Sequence, residues 1–251
     1  MKSPYKWDNY SDQPAILQDK KYKKKIRKKE LTSLVKTFII SLFVLPFSIV
    51  AMPFIKRKQI KSSDFFCLGV DYQREPELTL ELIKELNVDR ILVRLKLWDM
   101  ESLNALKIFL ESLSNKKVTL KIMQDRENIE DLDLLKSNLQ NIFETLNGLI
   151  DMYEIGTTIN RSKWGIFSVD EYNRFYQVAY ELQQKQFPNI KLIGSGVIDF
   201  EYHFTMHTLF NFFKYKYDGV SSLLYVDRRG APENTQIGFS LSDKIALLST
   251  L

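Results

Sequence analysis

The sequence predicts an α/β protein with a parallel sheet, preceded by one transmembrane helix. Three observations carry the prediction. Short apolar runs of strand length alternate six times with stretches whose apolar residues recur at helical spacing. The runs are apolar at successive positions, as suits strands covered by helices on both faces. Residues 37–55 carry no charge. Nineteen residues at 1.5 Å each span about 28 Å, close to the hydrocarbon thickness of a bilayer.

The chain divides at composition shifts. Residues 1–30 form a basic tail, of which residues 1–19 are polar, with scattered Tyr, Trp and Pro and no period, and are expected to be mobile. It ends in a run containing Lys20, Lys21, Lys23, Lys24, Lys25, Arg27, Lys28 and Lys29, where most of the net charge of +5 resides. Beside an apolar helix such a run marks the cytoplasmic side of a membrane, and binding to nucleic acid is not expected. Residues 31–55 are the transmembrane helix, in which Pro46 and Pro53 are tolerated. Residues 49–51 lack a signal-peptidase pattern, so a signal anchor fits better than a cleaved leader. Residues 56–64 form a linker with Lys56, Arg57, Lys58 and Lys61, half the cations of the amino-terminal flank. The positive-inside rule puts the tail in the cytoplasm and the main domain outside the inner membrane, the periplasm of a bacterial cell.

Residues 65–251 hold the β/α units. Strand one covers 65–70 and places Cys67, the single cysteine, in an apolar run, with core burial expected. A helix follows Pro76, and strand two covers 90–95. Leu103, Leu106, Phe109, Leu110 and Leu113 form a helical stripe, with Asp99 expected as its cap. Strand three covers 117–123, and Leu132, Leu135, Leu139, Ile142, Phe143 and Leu146 face one side of the next helix. Strand four ends at Gly156. Ser168 and Glu171 have capping-box spacing at the start of a helix that stops at Pro188. Strands five and six cover 190–198 and 218–226, and a last helix begins at Leu241. A doubly wound sheet is the second reading, but strand one is followed by Asp71-Tyr72-Gln73-Arg74 in place of a glycine-rich loop. The favoured fold is a (β/α)8 TIM-like barrel that reaches about six units in this sequence. On that reading the last two units are missing from the sequence, and a protein partner or a missing carboxyl-terminal segment completes the barrel. The open edges make the isolated domain prone to associate.

Strand four, Tyr153-Glu154-Ile155-Gly156-Thr157-Thr158, resembles the corresponding strand of the TIM-barrel glycoside hydrolase clan, which ends in E-I-x-N-E-P. Thr157 stands at the Asn of that motif and Thr158 at the general acid. Five further stretches run in the same order. They are Leu95-Lys96-Leu97-Trp98-Asp99-Met100, Gln124-Asp125-Arg126-Glu127, Ile159-Asn160-Arg161-Ser162-Lys163-Trp164-Gly165, Ile198-Asp199-Phe200-Glu201-Tyr202-His203 and Tyr225-Val226-Asp227-Arg228-Arg229-Gly230-Ala231-Pro232-Glu233-Asn234. Together they resemble bacterial membrane-anchored proteins with a glycoside-hydrolase-like barrel, associated with cell-surface polysaccharide or lipopolysaccharide genes. The resemblance implies a carbohydrate ligand and names no particular sugar. The clan's nucleophile would come from a seventh strand.

Charged and aromatic residues follow nearly every strand, and in a barrel such positions converge on one face. Carboxylates accept hydroxyl protons and aromatic rings cover the apolar face of a sugar. Asp125, Asp199, Glu201 and Asp227 are the carboxyl groups that could flank a glycosidic bond. Trp98, Arg126, Asn160, Arg161, Trp164, Tyr202, Tyr225 and Arg228 are the candidate sugar contacts. A threonine at position 158 is too weak an acid to protonate a leaving group. Glu154 either faces the barrel interior or pairs with Arg126 or Arg161. For any one of these residues the competing reading is a helix cap or a loop salt bridge. His203 and His207 have ligand spacing on a helix, but no third ligand is evident, and packing with Phe204 and Phe210 is preferred to a metal. No cofactor motif is present. Two functions follow: a membrane-anchored protein that binds or processes a surface polysaccharide, or a non-catalytic scaffold in an envelope assembly.

Overall fold

The computed structural model describes residues 5–8, 13–15, 17–55, 61, 65–113, 115–212, 214–224 and 235–251. Six strands are parallel and bonded in chain order. They are β1 (Leu68–Val70), β2 (Arg90–Lys96), β3 (Lys117–Met123), β4 (Met152–Ile155), β5 (Leu192–Ile198) and β6 (Gly219–Leu223). A doubly wound sheet reverses its strand order at a switch point; an unbroken order means every crossover turns the same way, as in a barrel. The fold is therefore TIM-barrel-like, with six consecutive units among the described residues.

The long helices of the barrel fall where the apolar periods place them, whereas the helix over the basic run and the short one that starts at Arg126 were not expected. After the tail come α1 (Lys20–Lys29) and α2 (Leu31–Ala51). In the barrel come α3 (Pro76–Leu86), α4 (Leu103–Glu111), α5 (Arg126–Glu130) and α6 (Leu132–Thr145), then α7 (Val169–Gln186), α8 (Tyr202–Leu209) and α9 (Leu241–Thr250). Ile91, Val93 and Leu95 of β2 are buried in one core with Leu106, Phe109 and Leu110 of α4. The other face of β2 differs from the expectation. Arg90, Leu92, Arg94 and Lys96 alternate with the buried residues and are only half-buried. Arg94, Lys121 and Glu154 lie in register on neighbouring strands, so this face carries charge where an apolar layer was expected.

Three local expectations are corrected. Cys67 is exposed, because regular structure begins only at Leu68, and Phe65 and Phe66 before it are exposed as well. The Asp99 side chain caps no helix; its Oδ2 accepts from Gln73 Nε2 at 2.6 Å. Half of the capping box forms at α7. Ser168 Oγ accepts from the Glu171 amide at 3.0 Å, but the Glu171 carboxylate accepts from the Phe167 amide at 2.8 Å.

With its 3-10 extension α2 reaches Phe54, and the apolar stretch Leu31–Phe54 is long enough to cross a membrane, with a mean hydropathy of 2.2 in its best window. Its buried residues are nevertheless polar: Ser33, Thr37 and Ser48. Ser33 and Thr37 bond to the barrel. The Asp170 amide donates to Ser33 Oγ at 3.1 Å, Ser168 Oγ donates to Glu30 Oε2 at 2.5 Å, and Lys36 Nζ donates to Asp170 at 2.8 Å. His207 sits 2.7 Å from Thr37 Oγ1 through Nδ1 and 3.4 Å from Asp170 through Nε2. Burial pushes the His207 pKa below 6.5, Asp170 pulling it back and Lys36 adding to the depression. A base with a depressed native pKa favours the fold above its unfolded pKa, and that contribution fades as pH falls through the native value. The urea midpoint of the whole chain is therefore expected to drop on going from pH 7 to pH 5. In His207→Gln that part of the drop should vanish; an unchanged pH dependence would exclude His207 as its source.

Candidate functional site

The loops after β2, β3 and β4 meet at the carboxyl end of the sheet, and Gln124 ties two of them together. Its Nε2 donates to the carbonyls of Thr157 at 2.7 Å and Trp164 at 3.0 Å, and its Oε1 accepts from the Thr157 amide at 2.9 Å. The chain leaves β4 through Gly156 at φ +79°, where an added Cβ would lie 3.0 Å from the Tyr172 ring, so only glycine fits. Trp164 and Trp98 line a cavity of about 230 Å³, with Gln124, Asp125 and Glu127 also in its wall.

Arg126, Lys163 and Gly165 complete the barrel's share of the wall, and the remainder comes from the tail. Trp7–Asp8 pairs with Gln13–Pro14 in a short antiparallel bridge, and Tyr5, Lys6, Trp7 and Pro14 line the cavity. The Trp7 ring lies 4.7 Å from Trp98 and 5.8 Å from Trp164, centroid to centroid, with Lys96 Nζ 5.2 Å from its own centroid. Tyr5 Oη donates to the Ser162 carbonyl at 2.9 Å and Lys163 Nζ to Gln13 at 2.7 Å. The protein has three tryptophans, and all three meet here. Trp7 Nε1 is buried without a hydrogen-bond partner. The sequence reading missed Trp7 because the tail has no period; its scatter of Tyr, Trp and Pro was the available signal.

Arg126, a candidate sugar contact, is among the residues lining the cavity, and its guanidinium is a buried structural hub. It forks onto Glu171 at 2.7 and 2.9 Å, donates to the Gly165 carbonyl at 2.8 Å, and reaches Glu130 and Tyr22 Oη at 2.9 Å each. Burial opposes its charge, but the Glu171 hydrogen bonds and charge outweigh that and raise its pKa. The same contacts reach Tyr22: burial, opposed by Arg126 and helped by Glu130, pushes the phenol up to about 12. Asp125 caps α5, accepting from the Asn128 amide at 2.9 Å and side chain at 2.8 Å.

Asn160, Arg161, Asp199 and Glu201 form a second cluster beyond β4 and β5. Arg161 Nη1 donates to both Glu201 oxygens at 2.8 Å, and its Nη2 to Asp199 Oδ2. Asn160 Nδ2 donates to Glu201 at 2.7 Å and to the Ile198 carbonyl at 2.8 Å. Asp199 holds a left-handed backbone at φ +63°, and its Oδ1 is buried without a partner. Glu154 faces the barrel interior. It pairs with Lys121 at 3.1 Å and accepts from Ser221 Oγ at 2.9 Å, so neither Arg126 nor Arg161 is its partner.

Tyr202 is placed away from both clusters. It is buried in a smaller core with Met206 and Leu247, and its hydroxyl donates to the Lys244 carbonyl at 2.8 Å. Of the two histidines on α8, His207 contacts α2 and His203 packs on Phe204 at 4.5 Å. Tyr225, Asp227 and Arg228 lie outside the described residues.

No family model and no curated protein matches the sequence. Among solved structures the chain is similar to an Ignisphaera aggregans GH53 catalytic domain, with 17% identity and a TM-score of 0.49 over 70% of this chain. The match spans 64% of that domain's length.

Proposed function

We propose that the protein binds a cell-surface polysaccharide at the tryptophan-lined end of its barrel, attached to a membrane by its apolar helix, and that it does not hydrolyse the glycan. The observation that carries this reading is a cavity lined by Trp7, Trp98 and Trp164 together with Gln124 and Asp125. Flat rings beside hydrogen-bonding groups suit a sugar ring, which has an apolar face and a rim of hydroxyls. A cavity of about 230 Å³ is small for a ligand site, where 300–1,000 Å³ is usual, and suits one sugar unit at a time.

Three of the four candidate carboxyl groups support binding without cleavage. Glycoside hydrolysis places an acid and a base or nucleophile on either side of the scissile bond. Here Asp199 and Glu201 grip the two ends of one guanidinium, which occupies the space between them. Asp125 is engaged as a helix cap, and Thr158 stands at the position of the clan's acid. The resemblance to envelope-associated proteins supports the choice of a surface polysaccharide.

Because all three tryptophans lie at the cavity, intrinsic fluorescence reports on it directly. Titration with envelope polysaccharide fragments is expected to shift the emission. Trp98→Ala should weaken binding by about tenfold, the equivalent of roughly 1.4 kcal/mol for one aromatic platform. Absence of any glycan response in the wild-type chain would end the reading. Release of reducing sugar would end the non-hydrolytic part of it.

A further inference from the structure

We infer that α2 lies along the surface of an anionic bilayer, its outer face in the acyl layer, with the tail and the barrel on the same side. This inference rests on the helix and the tail and stands whether or not a glycan binds. A helix that crosses the hydrocarbon core separates the residues before it from those after it by about 30 Å. Yet Tyr5 bonds Ser162, Lys163 bonds Gln13, and Trp7 packs between Trp98 and Trp164. Those contacts join the segment before α2 to the domain after it, so both share one compartment. The expected arrangement, tail inside and domain outside, is incompatible with them.

The faces of α2 agree. Its hydroxyl side chains point at the barrel, where Ser33 and Thr37 take hydrogen bonds to α7 and α8. The remaining surface of the helix is largely apolar and open: Phe38 is 69% exposed, Phe47 76% and Phe54 81%. Phe210, beside Phe43 and Phe47 in one surface depression, extends that apolar area onto the barrel. Immediately before α2, α1 carries cations from Lys20 to Lys29 with a single buried residue, Ile26. An apolar face next to a cationic helix matches acyl chains beneath anionic headgroups, the chemistry of helices that lie in the membrane interface. A second protein chain would account for the apolar face and leave the adjoining cations without a counterpart. The helix starts beside the strand ends, with Glu30 on Ser168, and finishes near Thr250 and Leu251 at the end of α9. The barrel axis therefore runs along the bilayer.

Two exposed thiols test the arrangement in the full chain expressed in bacterial cells. One is the native Cys67, after α2; the other is Gln18→Cys, before it, made in a Cys67→Ser background. A membrane-impermeant maleimide is applied to spheroplasts before and after lysis. We expect the chain in the membrane fraction, with both thiols labelled before lysis or both only after it. Labelling of one before and the other only after would show a crossing helix and overturn the inference, as would recovery of the chain in the soluble fraction. In a second assay the purified chain should sediment with phosphatidylglycerol vesicles. Phe38→Asp/Phe47→Asp, which changes only exposed positions, should lower that binding at least tenfold. Unchanged sedimentation of the double variant, or self-association without vesicle binding, would also overturn it.

Discussion

Replacement of Arg126 by Met is expected to destabilise the fold by about 3–5 kcal/mol, because it leaves the buried Glu171 carboxylate without its cation. Both side chains are 3% exposed, so water cannot take over the role of the guanidinium. The loss goes beyond one ion pair. Arg126 also holds the Gly165 carbonyl and Tyr22 Oη, and so joins α5, the loop after β4 and helix α1. Urea denaturation of the whole chain measures the cost. Arg126→Met/Glu171→Gln should recover a large part of it, since no charge is then left buried. A single variant within about 1 kcal/mol of wild type would show that the pair is solvated and that the hub is not structural. Tail release should accompany the loss, visible as increased proteolysis before α1.

The strands and helices were legible because their signals are local. The periods of Leu103 to Leu110 and Leu132 to Phe143 place α4 and α6 without any knowledge of neighbours. Six alternating units in one chain order also gave the barrel class. Side-chain roles were harder, because they depend on partners distant in sequence. Arg126 and Arg161 look alike in the sequence, each in a polar stretch after a strand. Arg126 meets Glu171 and is buried, whereas Arg161 meets Asp199 and Glu201 near the surface. Tyr202 follows β5 as a site residue would, yet the first turn of α8 turns it into the core beside Leu247. The polar stripe of α2 is invisible to mean hydropathy, which averages Ser33, Thr37 and Ser48 with their apolar neighbours. The tail gave the largest surprise. A segment with no period of its own gains its structure from the surface that it covers, as Trp7 does on Trp98.

The charged interior of the sheet yields the second large effect. Lys121 and Glu154 pair at 3.1 Å on adjacent strands, with side chains 11% and 4% exposed. Lys121→Met keeps the length and apolar stem of the side chain and removes only the cation. Glu154 then retains Ser221 Oγ as a neutral partner, and the expected cost at pH 7 is about 3–5 kcal/mol. Lys121→Met/Glu154→Gln should be more stable than Lys121→Met at pH 7, since no charge is then left buried. The pair also underlies the loop that carries Thr158. Gly196 bonds the Thr158 amide through its carbonyl at 2.7 Å, and a Cβ on Gly196 would lie 3.5 Å from Glu154 Oε1. A shift of Glu154 toward water in Lys121→Met therefore disturbs the floor beneath Thr157, which Gln124 ties to the tryptophan cavity. Tryptophan emission of Lys121→Met should differ from wild type at pH 7 and approach it in the double variant. Identical emission in all three chains would disconnect the interior pair from the site, and an unchanged urea midpoint in Lys121→Met would show that the interior of this sheet is wet.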